Sequence, residues 1–305
     1  MIKRLLRKLA RLTGPGGSTA AKRHVQAALG RDADGFTADQ QVERARWREL
    51  LTESGEAARL AKLKDIHLGK RAFFIGNGPS IKGQDLTKLA GELTFVTNWF
   101  GNHEDYERIR PTYYCISSHE VFGGWNAETP TLNTDLRKVL VGREWASQFV
   151  FPLWARPTLL ADPDFGGKPP YYMVFERPKA EISKRGTLNW DVFGNLDDGY
   201  TGIVTFCLPL AYHMGIREVY LLGCDCDYQI KTEQDPKAYF YDFSKHSTST
   251  SKFQTLDRIW GPGGEIFRVY EIVRREAESR GMIIKNATAG GLLEVFERVP
   301  YERLV

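Results

Sequence analysis

The sequence predicts an α/β fold: a mostly parallel sheet with flanking helices, preceded by a helical extension. Three observations carry this expectation. From Lys70 onward, short apolar runs alternate with helix-forming stretches, the pattern of chains that build parallel sheets. The first run, Ala72-Phe-Phe-Ile75, breaks into Gly76-Asn77-Gly78-Pro79-Ser80, a tight turn where open α/β sheets face their ligands. A later run, Glu218 to Leu222, delivers Gly223, Asp225 and Asp227 to its own carboxyl end.

Taken in order, the chain opens with a basic amphipathic helix over residues 1–13. Ile2, Leu5, Leu6, Leu9 and Leu12 share one face, and Lys3, Arg4, Arg7, Lys8 and Arg11 lie to the sides and opposite. One reading lays this helix on the anionic inner face of the plasma membrane as a peripheral anchor, each basic residue contributing about 1 kcal/mol near the surface. The other docks it on its own domain or leaves it a basic tail. Residues 14–69 begin with the flexible break Gly14-Pro-Gly-Gly-Ser18 and continue as a helical extension over Thr19–Gly30 and Ala38–Lys70. Its apolar subset, Trp47, Leu50, Leu51, Leu60 and Leu63, is a face for packing on the catalytic domain or on another subunit.

The domain over 70–305 starts with the strand ending at Ile75. Gly76 and Gly78 permit a close backbone approach, so that their amides could meet phosphate or ribose oxygens. Asn77 adds a donor and an acceptor, Pro79 suits a first helical turn, and Ser80 suits a cap. A short helix is expected over Gln84–Ala90, and strands over Leu93–Asn98 and Pro111–Ser118. Asn77, Asn98 and Ser117-Ser118 then face one crevice beyond the carboxyl ends of three strands. Gln148–Pro152 and Tyr171–Phe175 read as strands among long loops. Thr201-Gly202 opens an apolar helix that stops near Gly215, with Pro209 as a kink; its free N–H groups suit a phosphate or carboxylate. His213, near its end, reads as a packed or helix-terminal histidine. Residues 228–264 are read as a lid. Glu265–Arg280 is an amphipathic helix, Met282–Lys285 a last strand, and Asn286–Gly291 a turn into a terminal helix.

Composition narrows the classes. A chain of 305 residues, 42% hydrophobic and 12% aromatic, has ample material for a core and is no disordered protein. Its net charge of +4 gives no global field for nucleic acid. Cys115, Cys207, Cys224 and Cys226 sit in apolar contexts with no secretory h-region upstream; they read as reduced core residues of a cytosolic protein. Cys224 and Cys226 would share a strand face, but no second pair follows at zinc-site spacing, so the pair reads as structural. Asp225-Cys-Asp227 reads either as a D-x-D metal motif on one strand face or as a hydrogen-bonding aspartate.

Ile75-Gly-Asn-Gly-Pro-Ser80, the strand ending at Asn98, Thr201-Gly202 and Ala211-Tyr-His-Met-Gly-Ile-Arg-Glu-Val-Tyr-Leu-Leu-Gly-Cys-Asp225 together resemble the bacterial sialyltransferases of glycosyltransferase family 42. They are also similar to the related MptE-like hydroxymethylpterin pyrophosphokinases. The resemblance runs from about Lys70 to Thr288 with a divergent middle. It implies a single modified Rossmann-type domain, GT-A-variant-like, that binds a CMP-activated acidic sugar and transfers it with inversion, without a metal or other cofactor. Carried over, Gly76, Asn77, Gly78, Asn98, Thr201 and Gly202 hold the nucleotide and donor, flanked by Pro79 and Ser80, and Asp225 supports the site. Tyr239, and Tyr228 with a one-residue shift, would stabilise the leaving phosphate. His246 in the lid would be the general base, and Asn286 and Thr288 would lie near the base or ribose. The sequence departs from the family near Asp198, where an arginine is replaced, and near Ser117, which stands for an asparagine.

The reading is a cytosolic-face glycosyltransferase of polysaccharide, capsule or lipopolysaccharide assembly. It would use a CMP-linked sialic-type nonulosonate or Kdo and a glycan or glycolipid acceptor. Two alternatives stay open: a pterin diphosphokinase using ATP and Mg²⁺, and a non-catalytic scaffold of polysaccharide assembly.

Overall fold

The computed structural model describes residues 38–122, 131–141, 147–162, 169–174, 182–194, 202–227 and 265–305. The expected helix over 1–13, the stretch Thr19–Gly30, Asp198, Thr201 and the lid over 228–264 lie outside the described residues.

Seven strands form one sheet: β1 Arg71–Ile75, β2 Thr94–Thr97, β3 Tyr113–Cys115, β4 Gln148–Pro152, β5 Tyr171–Met173, β6 Glu218–Leu222 and β7 Ile283–Asn286. Their order is β5-β4-β3-β2-β1-β6-β7, and every pairing is parallel. This is a Rossmann-like α/β sheet, and its order explains the sequence pattern. Both faces are covered over the inner strands, which are therefore continuous buried runs, while edge strand β7 alternates exposed and buried residues. In β1 the four residues Ala72 to Ile75 are completely buried. Rings from neighbouring strands meet across the sheet, Phe74 on Phe95 at 4.6 Å, Phe95 on Tyr113 at 4.7 Å and Phe73 on Tyr220 at 5.4 Å between centroids.

The chain builds outward from β1 to β5 and then returns to the other side of β1 for β6 and β7. Strand order therefore reverses between β1 and β6, where Phe73 pairs with Thr94 on one side and Tyr220 on the other. Ligands of open α/β sheets bind at this reversal, outside the carboxyl ends of the strands.

The helical extension contributes α1 (Ala38–Glu53) and α2 (Glu56–Ala61) and packs on its own sheet. Arg59 of α2 donates to the carbonyls of Pro169 and Pro170 at 2.8 and 2.7 Å, and its guanidinium lies over the Tyr171 ring of edge strand β5. Buried Glu56 accepts from Arg59 at 2.7 Å and from Arg156 at 3.3 Å; Arg156 opens α4 (Arg156–Leu160), which follows α3 (Thr134–Leu140). The clamp covers an edge that would otherwise present unpaired backbone groups. No helix among the described residues is long and apolar enough to cross a membrane.

Three expectations about elements are corrected, and a fourth, at Pro209, is made specific. The short helix expected over Gln84–Ala90 is a single 3-10 turn, Leu86–Leu89, which follows another at Pro79–Gly83; the Asp85 side chain accepts the Thr87 N–H at 3.2 Å and opens the turn. The irregularity expected at Pro209 takes the form of a widened turn ahead of it. The helix after Gly202 begins as a π turn over Ile203–Cys207 and continues as α5, Leu208–His213, with Pro209 in its first turn. Proline has no N–H to give and crowds the carbonyl four residues earlier, so the wider turn falls where the ordinary ladder would fail. The strand delivering Asp225 stops at Leu222, and positive φ at Gly223 (61°) and Cys226 (51°) bends the chain away. Asp225 and Asp227 therefore do not share a strand face, nor do Cys224 and Cys226. Finally, after α6 (Glu265–Ser279) and β7 no terminal helix follows. Gly290 and Gly291 take φ of 84° and 73°, and the Arg298 guanidinium gathers the carbonyls of Thr288, Gly290 and Gly291 at 3.0, 2.7 and 3.2 Å, leaving only a 3-10 turn at Tyr301–Arg303.

Candidate functional site

The turn after β1 and the turn after β6 interlock backbone to backbone at the reversal. Gly76 N–H donates to the Leu222 carbonyl at 2.7 Å and Gly78 N–H to the Gly223 carbonyl at 2.9 Å. A Cβ on Gly76 would stand 2.5 Å from the Gly223 oxygen; one on Gly78 would stand 2.6 Å from the same oxygen and on top of the Asp225 carboxylate. Gly223 is held as tightly, since a Cβ there would lie 2.7 Å from Ile81 Cγ2 and 2.8 Å from the Gly76 oxygen. This corrects the expectation that the Gly76 and Gly78 amides face a phosphate. Their close approach is to the neighbouring turn, and both N–H groups are already taken.

The ligand-facing chemistry of this turn passes to Asn77. Its Nδ2 donates to the Thr97 carbonyl at 3.2 Å and lies 3.4 Å from Thr97 Oγ1, tying the end of β1 to the end of β2. Its Oδ1 is buried and has no hydrogen-bond partner among the described residues. A buried acceptor without a donor is costly and marks a place where a partner group fits. Pro79 opens its 3-10 turn as expected, but Ser80 does not cap it. The Ser80 hydroxyl donates instead to Asp225 Oδ2 at 2.9 Å.

Asn98 takes left-handed φ, 45°, which asparagine tolerates better than most residues. In that conformation its Oδ1 accepts the N–H groups of Ser117 and Ser118, both at 3.3 Å, and its carbonyl accepts the Tyr114 hydroxyl at 2.6 Å. The ends of β2 and β3 are thus joined by one carboxamide. The helical segment starting at Gly202 lies directly on this junction: a Cβ on Gly202 would collide with Ser117 Oγ, and Ile203 Cδ1 reaches within 3.3 Å of where a Cβ of Gly76 would be. The structure therefore brings together Gly76, Asn77, Gly78, Asn98, Ser117 and Gly202.

Asp225 is 5% exposed and knots three turns together. Besides Ser80, its own carbonyl accepts the Leu292 N–H at 2.7 Å, and Gly291 packs against its backbone where a Cβ could not. Asn286 and Thr288 brace the same knot from β7. Asn286, 1% exposed, donates to the Leu293 carbonyl at 2.7 Å and accepts the Thr288 N–H at 3.0 Å; Thr288 Oγ1 accepts the Cys224 N–H at 3.1 Å. Their polar groups hold the protein to itself rather than turning toward a base or ribose. Among the described residues no group of three or more His, Cys, Asp or Glu is placed to hold a metal ion.

All four cysteines are buried thiols. Burial pushes Cys224 and Cys207 well up, Cys207 further raised by neighbouring Cys115, and pushes Cys226 up to about 12, so the three are protonated and unreactive at neutral pH. His213 is packed as expected, its Nε2 3.0 Å from the Leu60 carbonyl and its ring edge-on to Phe193. Gln84 has no counterpart among the residues singled out from sequence: it is buried, donates to the Ala287 carbonyl at 2.9 Å and leaves its Oε1 without a partner among the described residues. Nothing in its local pattern signals a partner 203 residues away. Thr201, Tyr228, Tyr239 and His246 lie outside the described residues.

Compared with known proteins, the chain finds no match: no family model, no curated protein and no solved structure matches it.

Proposed function

We propose that the chain is an inverting, metal-independent glycosyltransferase that moves an acidic sugar of nonulosonate or Kdo type from a CMP donor to a surface-glycan acceptor. The observation that supports it is the meeting of the β1, β2 and β3 ends with the helix start at Gly202, around the partnerless Asn77 oxygen. An acceptor oxygen in that position suits a ribose hydroxyl or a base amine of the nucleotide. The acceptor hydroxyl oxygen attacks the anomeric carbon from the face opposite CMP. As that bond forms, the carbon–oxygen bond to the phosphate breaks and CMP leaves with the electron pair. His246 takes the hydroxyl proton, and Tyr239 and Tyr228 donate to the departing phosphate.

Thermal unfolding of the full chain with CMP, CDP, UDP, GDP and ATP tests the reading. CMP at a hundredfold excess over its Kd should stabilise by about 2.7 kcal/mol, a shift of several degrees. A larger shift with ATP and Mg²⁺, or no shift with any nucleotide, would replace it with the diphosphokinase or the scaffold.

A further inference from the structure

In an all-parallel sheet every segment leading into a strand lies on the face opposite the carboxyl-end crevice. The segment leading into β1 is built unusually firmly there. Asp65 N–H donates to the His213 carbonyl at 3.0 Å, His67 N–H to the Met214 carbonyl at 2.8 Å and Leu68 N–H to the Asp65 carbonyl at 3.1 Å. The His67 ring turns inward, its Nε2 2.7 Å from the Tyr113 hydroxyl. From below, Gly215 supports the loop so closely that a Cβ there would be 3.0 Å from Leu68 Cα. This clamped loop holds Ile66 and Leu68 out in solvent, 48% and 69% exposed, on either side of the inward histidine. Lys62, Lys64 and Lys70 on the same segment, and Arg110 ahead of β3, are exposed and make no ion pair among the described residues. Asp65 on the same segment and Glu107 ahead of β3 are the exposed acids beside them, and Glu92 ahead of β2 is paired with Arg71.

We propose that this amino-end face is a contact surface for an anionic lipid bilayer, with Ile66 and Leu68 entering the headgroup–acyl boundary while the lysines and Arg110 meet lipid phosphates. Two aliphatic side chains displayed on a rigid loop are an unfavourable exposure that burial relieves. The surrounding charge selects what buries them. A second copy meeting this face through a two-fold axis would bring lysines against lysines, and the basic segment 1–12 would be repelled in the same way. An anionic interface with an apolar interior answers both features at once. The inference goes beyond the proposed transfer reaction and needs no sugar donor, so each fails independently of the other.

The test is co-sedimentation of the full chain with extruded vesicles of equal parts phosphatidylglycerol and phosphatidylcholine, against phosphatidylcholine alone. The double variant Ile66→Asp, Leu68→Asp should lose at least tenfold in partitioning to the anionic vesicles while keeping the wild-type unfolding midpoint. The same loss should appear in a chain whose basic start is reversed by Arg4→Glu, Arg7→Glu, Lys8→Glu and Arg11→Glu, which isolates the loop from residues 1–12. An environment-sensitive thiol dye on Leu68→Cys, the native cysteines being buried, should shift to the blue with anionic vesicles and not with phosphatidylcholine. Unchanged partitioning of the loop variant, a silent dye, or a loss accompanied by dissociation of a dimer in light scattering would overturn the proposal; the last would make the face a self-interface.

Discussion

At Gly78 the tolerance for one added carbon is zero, because the space a methyl would take is occupied by the Asp225 carboxylate and the Gly223 carbonyl. Gly78→Ala should cost about 1–3 kcal/mol in urea unfolding and abolish stabilisation by CMP. Gly83→Ala, five residues on with nothing within 4 Å of the new atom, should change stability by no more than about 0.5 kcal/mol. Equal costs would mean that the interlocked turns are not rigid. Asn77→Ala separates binding from folding. It removes one hydrogen bond to Thr97, about 1 kcal/mol, yet should eliminate the CMP-dependent shift in unfolding temperature; a retained shift would remove the carboxamide from the ligand. Polar strand ends such as Asn77 and Asn98 were legible because a carboxamide that closes a buried apolar run needs hydrogen-bond partners beyond the strand. The purpose of the glycines was not, since Ser80 and Asp225 stand 145 residues apart and no local pattern records what lies across a sheet.

The strands were the readable elements. The strands from β1 to β6 fall where short, mainly apolar runs place them, since burial on two faces leaves little room for polar alternation, whereas edge strand β7 alternates exposed and buried residues. Failures came where side chains override propensity. Leu292 to Arg298 has the composition of an amphipathic helix, yet two left-handed glycines precede it and Arg298 folds back onto the carbonyls of that glycine turn. The docking of α2 was equally hidden, because Glu56 meets Arg156 from 100 residues away. That contact has a measurable consequence. Glu56→Ala leaves two guanidinium groups, each partly exposed, without their buried carboxylate, and should cost about 2–3 kcal/mol. It should also speed proteolytic cleavage ahead of β1. An unaltered urea midpoint would show that Arg59 and its proline carbonyls hold the extension alone.

Across the whole molecule, stability should respond to mild acid through two histidines. Burial holds His67 below its ordinary value, with Lys70 adding to the effect, and burial lowers His103 against the pull of Asp105 and Glu104. The unfolded chain takes up these protons near pH 6.5 and the folded chain only at lower pH. Stability is therefore undiminished above about pH 6.5, falls as pH drops below it, and levels off once the folded histidines are charged. Urea midpoints measured across that window should decline, and the double variant His67→Gln, His103→Gln should decline less; identical slopes would assign the acid sensitivity elsewhere.

The strand order also sets a schedule for synthesis. β1 lies inside the finished sheet, but the neighbour on its second side is made only after β2 to β5 and the long stretch behind them. Until Leu222 leaves the ribosome, Phe73 and Phe74 line an open strand edge on a half-built sheet. A nascent chain arrested before Glu218 should consequently be held by chaperones and clump once they are withdrawn, whereas the released full-length chain shields that edge with its own sixth strand.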